Sequence, residues 1–392
     1  MNTQCNGAHA ALAENRLSPA PSQLHYRVAV IGGGPAGSSC ALALANGGVS
    51  DILVVEASSY SGFKVGESIP PESRMLIRSL NIDEAFLTRH HEPCYGSCSY
   101  WGSDKRGYND FLLNPHGHGW HLDRSRFDAF LAAQAHAAGV ELLTGSSLSG
   151  SEPLGSTGHM LHIRCPGGVL ARVHADFVVD ASGRRSLFAR QRGARQINSN
   201  PLICCAATLR RRNVDEAFSR LTHLEAVEQG WWYVASVPGN AVVIAFATNA
   251  QMVRTMQLQK AERWYRMLRA APHMSQLTDG IDPRDAHVRC YPVPSYCLDR
   301  LCGERWLAIG DAASAYDPIT AQGIVKSLSN GIHAAQAIQS WMSGTSDALQ
   351  AFAQMVRTQY RRYLDLRRDL YCLEQRWPAS EFWQRQITSA SM

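Results

Sequence analysis

Long apolar runs and lysine are both scarce in this sequence of 392 residues. No apolar run approaches the roughly 20 residues that a membrane-spanning helix needs, so we expect no membrane span. Residues 1–24 lack a charged start followed by a sustained apolar stretch, which argues against a signal peptide and favours a disordered tail. Only four of the 38 basic residues are lysines, and no basic run with interleaved aromatic residues predicts a nucleic-acid groove.

The eleven cysteines are scattered and fit no common zinc-ligand spacing, so we predict no metal site. A long chain without a secretion signal most simply keeps such thiols reduced, which predicts a cytoplasmic protein. The chain is 45% hydrophobic and 18% charged, as is ordinary for a globular protein, and it is long enough for two subdomains.

A glycine-rich loop follows the first apolar strand, at residues 25–31, and resembles a G-x-G-x-x-G motif. Its glycines allow the backbone to approach a pyrophosphate, and the helix that begins after it offers free N–H groups and a partial positive charge. The loop residues expected to contact a dinucleotide are Gly32, Gly34, Pro35, Ala36 and Gly37.

A second strand, at residues 51–55, ends at Glu56 and Ala57. Glu56 has roughly the spacing from the glycine loop that binding to a ribose hydroxyl requires. Because a strand, a helix, a second strand and an acidic residue follow in the expected order, an unrelated glycine-rich turn is a poor explanation of this motif. The motif does not by itself distinguish FAD from NAD.

Two further strand ends carry a similar pattern downstream. Residues 177–179 lead to Asp180, followed by Ala-Ser-Gly and several arginines. Residues 306–309 lead to Gly310 and Asp311, and a loop containing Pro318 then enters a helical run at Gly323. Together with the glycine loop, this last segment looks like the far end of one extended FAD site.

Four segments resemble the para-hydroxybenzoate-hydroxylase-type flavoprotein superfamily, in the expected order. They are Gly32–Gly37, Leu122–Leu131, Asp180–Arg190 and Gly310–Gly323. The resemblance implies an α/β Rossmann-like FAD-binding domain of the glutathione-reductase type, with an inserted antiparallel-sheet substrate domain and a C-terminal helical segment.

The same resemblance assigns roles to single residues. Asp311 would hold the ribityl hydroxyls, Arg124 would lie along the FAD chain, and Pro318 would line the isoalloxazine face. The helix that begins near Gly323 and Ile324 would point its N-terminus at the edge of the ring that becomes negative on reduction. From the residues alone, Asp311 could instead cap a helix, and Arg124 could form a surface ion pair.

The predicted domains are discontinuous. The FAD-binding domain would comprise residues 26–90, 120–195 and 291–344, the substrate domain residues 91–119 and 196–290, and the C-terminal helical region residues 345–392. Within the substrate domain, residues 202–210 and 241–248 have the pattern of strands. The arginines of the C-terminal region, Arg367 and Arg368 among them, are predicted to form a solvated face.

The turn Gly66-Glu67-Ser68 resembles the branch that contains flavin-dependent halogenases. That branch also includes the flavoprotein hydroxylases that mature lysine and glycine oxidases and quinohemoprotein amine dehydrogenase, which oxidise tryptophan side chains of a partner polypeptide. Halogenases carry Trp-x-Trp-x-Ile-Pro, whereas Tyr233 and Ala235 precede Pro238 here. Tryptophan halogenases also use a lysine soon after the Gly-Glu turn, and residues 69–104 contain none.

Candidate catalytic residues are Glu67, Lys64, which we place beside the flavin, and the clustered histidines His116, His118 and His121. Each has a plainer interpretation: Glu67 could brace the turn, and the others could be solvated loop residues. Candidate substrate-pocket residues are Trp231, Trp232 and Tyr233, although the two tryptophans could instead pack beneath a sheet.

The predicted activity is FAD-dependent monooxygenation, in which O2 and reduced FAD form a C4a-hydroperoxyflavin that hydroxylates an electron-rich aromatic ring. The substrate would be a small molecule or a peptide or protein, with a tryptophan side chain as a candidate. No second G-x-G-x-x-G exists, so electrons would come from transiently bound NAD(P)H or from a partner flavin reductase. The alternatives are a flavin-dependent halogenase, a flavin-binding maturation factor that acts mainly by binding a partner, and a flavin-dependent double-bond reductase that would act without O2.

Overall fold

The computed structural model describes residues 20–62, 64–198, 201–211, 218–281 and 286–388. Residues 1–19, most of the predicted tail, lie outside these ranges. The helices are α1 (Pro35–Asn46), α2 (Ser73–Ser79), α3 (Asp83–Leu87), α4 (Arg124–Ala137), α5 (Leu187–Gln191), α6 (Ala250–Met256), α7 (Ala261–Ala270), α8 (Pro272–Leu277), α9 (Gly323–Met342), α10 (Ala348–Cys372) and α11 (Glu381–Thr388). None of these described helices has the length and apolar character to cross a bilayer.

The described strands number 21. They are β1 (His25–Ile31), β2 (Ile52–Val55), β3 (Ser68–Ile69), β4 (Glu92–Cys94), β5 (Gly96–Tyr100), β6 (Gly107–Asp110), β7 (Gly119–His121), β8 (Glu141–Leu143), β9 (Ser147–Pro153), β10 (His159–Arg164), β11 (Leu170–Asp180), β12 (Gln196–Asn198), β13 (Ile203–Arg210), β14 (Thr222–Val227), β15 (Gly230–Val237), β16 (Ala241–Thr248), β17 (Arg289–Pro292), β18 (Tyr296–Leu298), β19 (Cys302–Gly303), β20 (Trp306–Ala308) and β21 (Ser314–Ala315).

The first large sheet has the central order β19-β20-β11-β1-β2-β8, and β1 pairs in parallel with both β2 and β11. The short strand β2 is buried along its whole length, as expected for a parallel sheet covered on both faces. Helix α1 packs against α9 and α4. This arrangement confirms the predicted Rossmann-like α/β fold and brings the carboxyl ends of the parallel strands to one edge.

The second large sheet has the order β17-β13-β16-β15-β14-β5-β6 and is antiparallel except between β14 and β5. The strands predicted at residues 202–210 and 241–248 are present as β13 and β16. One face of this sheet packs on Trp264 and Leu268 of α7. The other face packs on Tyr371 of α10 and Trp383 of α11, so the C-terminal helices cover the side that faces the first sheet's loops.

A buried ion pair joins α10 to the loop that contains Pro318. Arg367 Nε lies 3.2 Å from Asp317 Oδ2, and the Tyr371 hydroxyl donates to the same oxygen at 2.9 Å. The Tyr363 hydroxyl accepts from the Asp317 backbone N–H at 2.8 Å. Arg367 is only 1% exposed, so the prediction of a solvated arginine face is wrong for this residue.

We expect Arg367→Met to lower the free energy of unfolding by about 3 kcal/mol, because it leaves the Asp317 carboxylate buried without its cation. Urea denaturation would measure the change. The neighbouring Arg368 pairs only with exposed Asp365 and Asp369, so Arg368→Met should cost about 0.5 kcal/mol or less. Equal effects in the two variants would contradict a structural role for the buried pair.

Candidate functional site

A cavity of about 610 Å³ lies at the carboxyl ends of the parallel strands, next to Ile31, Val55 and Ala181. Loops that follow parallel strands meet at one sheet edge, which is where α/β proteins commonly bind nucleotides. Most of the residues predicted to bind a cofactor line this cavity. They are Gly32, Gly34, Pro35, Ala36, Glu56, Ala57, Arg124, Asp311, Pro318, Gly323 and Ile324.

The glycines of the first loop serve different purposes. Gly32 has φ +111°, and a Cβ there would lie 2.3 Å from the Ala181 carbonyl oxygen. A Cβ on Gly37 would lie 1.8 Å from the Gly32 oxygen; Gly37 therefore permits close packing and does not line the cavity. A Cβ on Gly34 would meet nothing within 4 Å, and no side chain caps the helix that starts there. This open space at a helix N-terminus fits a pyrophosphate group.

Glu56 is held in a fixed orientation at the end of β2. Its Oε2 accepts from the Gly33 backbone N–H at 2.7 Å, and its Oε1 accepts from the Ser58 backbone N–H at 2.8 Å. Ser58 also lines the cavity and was missed by the sequence reasoning. Its position two residues after the acid is the signal that could have found it.

Asp180 and Gly310 do not line the cavity, although both were predicted to contact the cofactor. Asp180 is fully buried, and its carboxylate accepts from the backbone N–H groups of Ser182 at 3.0 Å and Ala189 at 2.8 Å. It therefore shapes the loop that carries Arg184 to the cavity. A Cβ on Gly310 would lie 2.6 Å from that of Ala36, so this glycine permits close packing.

Asp311 presents an ionised carboxylate to the cavity. Its Oδ1 lies 2.8 Å from Lys326 Nζ, and its Oδ2 lies 3.7 Å from Arg184 Nε. Burial alone would raise the pKa of Asp311, but the charges of Lys326 and Arg184 outweigh it and lower the pKa. The sequence reasoning missed Lys326, whose amine is brought beside Asp311 by the first turn of α9.

Lys64 and Arg124 share a buried carboxylate. Lys64 Nζ lies 2.8 Å from Asp128 Oδ2, and Arg124 Nε lies 3.2 Å from Asp128 Oδ1. Arg124 also donates to the carbonyl of Val65 at 2.9 Å, so it braces the turn that leads to Glu67. Lys64 lines the cavity as predicted, but its charge is paired. Asp128 could have been found from its spacing of four residues after Arg124 on a helix.

Glu67, in the same turn, has a carboxyl oxygen that no other group binds. It lines the cavity, it is 3% exposed, and its Oε1 is buried without a hydrogen-bond partner. Burial raises the pKa of Glu67 to about 7, although the nearby Arg124 charge and the Tyr233 hydroxyl oppose the rise. The carboxyl group can therefore gain or lose a proton near neutral pH.

Alternation along β15 separates the three predicted substrate-pocket residues. Trp231 and Tyr233 line the cavity, but Trp232 points to the opposite face of the sheet, where it packs against Phe246 and Trp264 with ring centroids 4.6 and 5.5 Å away. Neighbouring residues of a strand point to opposite faces. The prediction that Trp232 walls the pocket is therefore wrong.

Two of the predicted catalytic histidines, His116 and His118, do not line this cavity. They do not line the groove of about 1360 Å³ beside it either. His118 Nδ1 lies 2.8 Å from the Gly119 carbonyl oxygen, and its ring packs against Trp120 at 5.1 Å. Both precede β7, which pairs with β3 and β4, and the next residue along the chain that lines the cavity is Arg124. The fully buried histidine of this region is His121.

A groove of about 1360 Å³ adjoins the cavity. Cavity and groove share the lining residues Ser68, Tyr233, Tyr316, Pro318 and Ala321. The groove runs between the β5–β6 edge of the second sheet and α10. Its volume would allow a molecule larger than an amino acid to lie at the edge of the cavity.

Residues 25–355 match the family described as FAD binding domain. The chain belongs to this family. It is a flavin-dependent oxidoreductase and therefore an enzyme, which confirms the predicted superfamily and cofactor.

Similar proteins include an FAD-dependent oxidoreductase, a halogenase and a tryptophan dihydroxylase. The chain is 28% identical over 362 residues to the putative FAD-dependent oxidoreductase LodB of Marinomonas mediterranea, covering 92% of this chain and 96% of LodB. Among solved structures, the myxobacterial chondrochloren halogenase CndH has a TM-score of 0.84 at 20% identity, covering 93% of this chain and 86% of CndH. The peptidyl tryptophan dihydroxylase QhpG, essential for tryptophylquinone cofactor biogenesis, has a TM-score of 0.76 at 22% identity, covering 92% and 78%. These similarities establish a fold common to the two reaction types.

We expect Gly34→Val to weaken FAD binding about tenfold or more, because its side chain fills the open space at the start of α1. The apoprotein should unfold within about 1 kcal/mol of wild type, since nothing lies close to the new side chain. Titration of apoprotein with FAD, followed by flavin fluorescence, would measure the affinity. Gly150→Val is the control, because a Cβ there meets only ordinary contacts with His162. Unchanged affinity in Gly34→Val would contradict this location for the pyrophosphate.

Proposed function

We propose that this enzyme hydroxylates an electron-rich aromatic ring, with a tryptophan side chain in a polypeptide as its substrate. The observation that carries the proposal is the buried, unpartnered Oε1 of Glu67 at the cavity wall. A buried acceptor without a partner is costly, and the N–H of an indole ring would satisfy it. Tyr233 and Trp231 provide an aromatic wall for the same ring.

The cavity residues fit FAD in the following roles. Gly34 and the N-terminus of α1 would hold the pyrophosphate, Glu56 a ribose, Asp311 the ribityl chain, and Pro318 with the start of α9 the ring. When bound and reduced, FAD supplies the activation of O2, with electrons from NAD(P)H or from a partner flavin reductase. The chain's own residues would orient the substrate ring, exclude water and accept its proton.

Glu67 would act as the acid–base group. In its ionised form it would accept a hydrogen bond from the ring nitrogen, which raises the electron density of the ring. It would then take up the proton that the ring releases once oxygen has been added. A carboxyl group whose pKa is about 7 is suited to both steps near neutral pH.

The groove supports a polypeptide substrate. It is large, it adjoins the cavity at Ser68 and Tyr233, and its wall carries charges of both signs, including Glu72, Asp110 and Arg362. A free amino acid would leave most of this surface uncovered. The fold similarity to a peptidyl tryptophan dihydroxylase agrees with such a substrate.

The pairing of the lysines favours hydroxylation over halogenation. Lys64 and Lys326 are each 2.8 Å from a carboxylate oxygen, whereas tryptophan halogenases use a lysine amine to engage hypohalous acid. The other two lysines, Lys105 and Lys260, line neither the cavity nor the groove.

The product of turnover tests the proposed function. The protein would be incubated with FAD, NAD(P)H, a general flavin reductase, O2, bromide and blocked peptides that each contain one internal tryptophan. We expect some peptides to gain the mass of one or two oxygen atoms and the matched phenylalanine peptides to stay unchanged, as read by mass spectrometry. Incorporation of bromine would instead identify a halogenase. No modification of any peptide, with oxygenation of a free aromatic compound, would contradict the polypeptide substrate.

The pH dependence of turnover tests Glu67. Because the pKa of Glu67 is raised to about 7, the carboxyl group is protonated below that pH and ionised above it. If the ionised form is required, kcat rises as the pH increases through about 7. Glu67→Gln should remove this rise and lower kcat by about a hundredfold. The exposed Glu84→Gln variant should retain the wild-type profile, and a profile unchanged in Glu67→Gln would exclude this role.

A further inference from the structure

A chain of hydrogen-bonded side chains connects the cavity to a buried histidine. Tyr233 and Glu67 both line the cavity, and the Tyr233 hydroxyl lies 2.9 Å from the Oγ of Ser68, the residue that follows Glu67. Ser68 Oγ lies 2.9 Å from Thr222 Oγ1, which lies 2.9 Å from His121 Nε2. Each of these groups can donate and accept a proton.

The chain continues beyond His121 toward half-buried residues. His121 Nδ1 lies 3.4 Å from Ser236 Oγ, and Ser236 Oγ donates to the carbonyl of Ser219 at 3.3 Å. Ser219 Oγ lies 2.6 Å from His223 Nε2. A carbonyl oxygen only accepts a hydrogen bond, so the path for the proton ends at Ser236, which is partly exposed and can exchange protons with water.

We propose that Tyr233, Ser68, Thr222 and His121 form a proton relay that connects Glu67 with solvent. Thr222 and His121 are positioning residues that act through Tyr233 and Ser68. This inference rests on the proposed role of Glu67 in the reaction. It explains how a carboxyl group that is 3% exposed could lose its proton to solvent and return to the ionised form after each turnover.

Each group of the relay gives up one proton as it receives another. The Glu67 carboxyl group passes its proton to Tyr233 Oη as Tyr233 passes its own to Ser68 Oγ. The Ser68 proton then moves to Thr222 Oγ1, and that of Thr222 to His121 Nε2. His121 releases its Nδ1 proton to Ser236 Oγ, and the Ser236 hydroxyl passes its own proton to water, so every intermediate group ends with the number of protons it had.

The surroundings of His121 favour a neutral imidazole, which has one acceptor and one donor nitrogen. Burial, with a smaller contribution from the charge of His223, lowers the pKa of His121 to about 4. The other titratable groups around it are Glu92, its partner across β4 and β7, and the Cys94 thiol, 3.8 Å from Thr222 Oγ1. Burial raises the pKa of Cys94, so the thiol stays protonated at neutral pH.

Ser68, Thr222 and Tyr233 all border the open groove, which offers a competing exit for the proton. However, Ser68 Oγ is engaged by both Tyr233 and Thr222, and Thr222 Oγ1 by both Ser68 and His121. Water in the groove would have to displace one of these partners, and we therefore expect the path through Thr222 to dominate.

A pH-jump experiment on the FAD-loaded enzyme tests the relay without substrate. Stopped-flow flavin absorbance should show a relaxation that is lost in Glu67→Gln, which assigns it to that carboxyl group. Thr222→Val removes the hydroxyl with little change in shape and should slow this relaxation about tenfold or more, since losing a positioned proton-transfer group commonly costs about a hundredfold. Thr222→Ser should retain the wild-type rate.

Equal rates in the wild type and Thr222→Val would overturn the relay, as would the absence of a Glu67-dependent relaxation in the wild type. The peptide assay described above is independent of this readout. If no peptide gains oxygen while Thr222→Val slows the relaxation, the relay stands and the proposed function fails. If peptides gain oxygen while Thr222→Val leaves the relaxation rate unchanged, the proposed function stands and the relay fails.

Discussion

The buried ion pair between Arg367 and Asp317 is the contact on which the rest of the site depends. It fixes α10 against the loop that continues into Pro318, and the Tyr371 hydroxyl extends it to the indole N–H of Trp231 at 3.1 Å. One network therefore fixes the loop proposed to meet the flavin, one wall of the groove and the strand that lines the cavity. A buried ion pair rarely adds stability beyond what apolar packing would give. We infer that its value here is to fix three elements in one arrangement.

Glu67 differs from the other charged groups around the cavity in how its side chain is paired. The lysine ammonium groups at the cavity and groove, Lys64 and Lys326, are each paired with a carboxylate. Arg124 is held by Asp128 and by backbone carbonyls. Glu67 retains a buried oxygen without a partner. Glu67 therefore differs from these two lysines and from Arg124, whose charges are each paired with a carboxylate.

The sequence patterns predicted the nucleotide-binding edge well because its requirements are local. Gly32 needs a positive φ and close contact with Ala181, and the acid at Glu56 must follow β2 directly. Spacing along the chain specifies both features. Asp180 and Gly310 belong to the same patterns, but they stabilise the loops through hydrogen bonds and close packing and do not line the cavity. Spacing cannot tell a residue that contacts a ligand from one that shapes the loop next to it.

The substrate side was harder to predict because it is assembled from distant segments. Both faces of β15 are apolar, so composition did not tell which tryptophan faces the cavity, although alternation required that Trp231 and Trp232 differ. The histidine-rich stretch offered His116, His118 and His121 alike, and only the pairing of β7 with β3 buries His121 beside Thr222, 101 residues away along the chain. No local pattern encodes that contact.

By itself, therefore, the sequence determined the fold, the family and the cofactor, because glycine spacing and strand–helix alternation are short-range properties of the chain. Only the tertiary structure decided which polar groups are paired. It brings Lys64 to Asp128, Lys326 to Asp311 and Tyr233 to Ser68, and it leaves one oxygen of Glu67 without a partner. The physical reason is that burial and pairing depend on the packing of elements that are far apart in the chain.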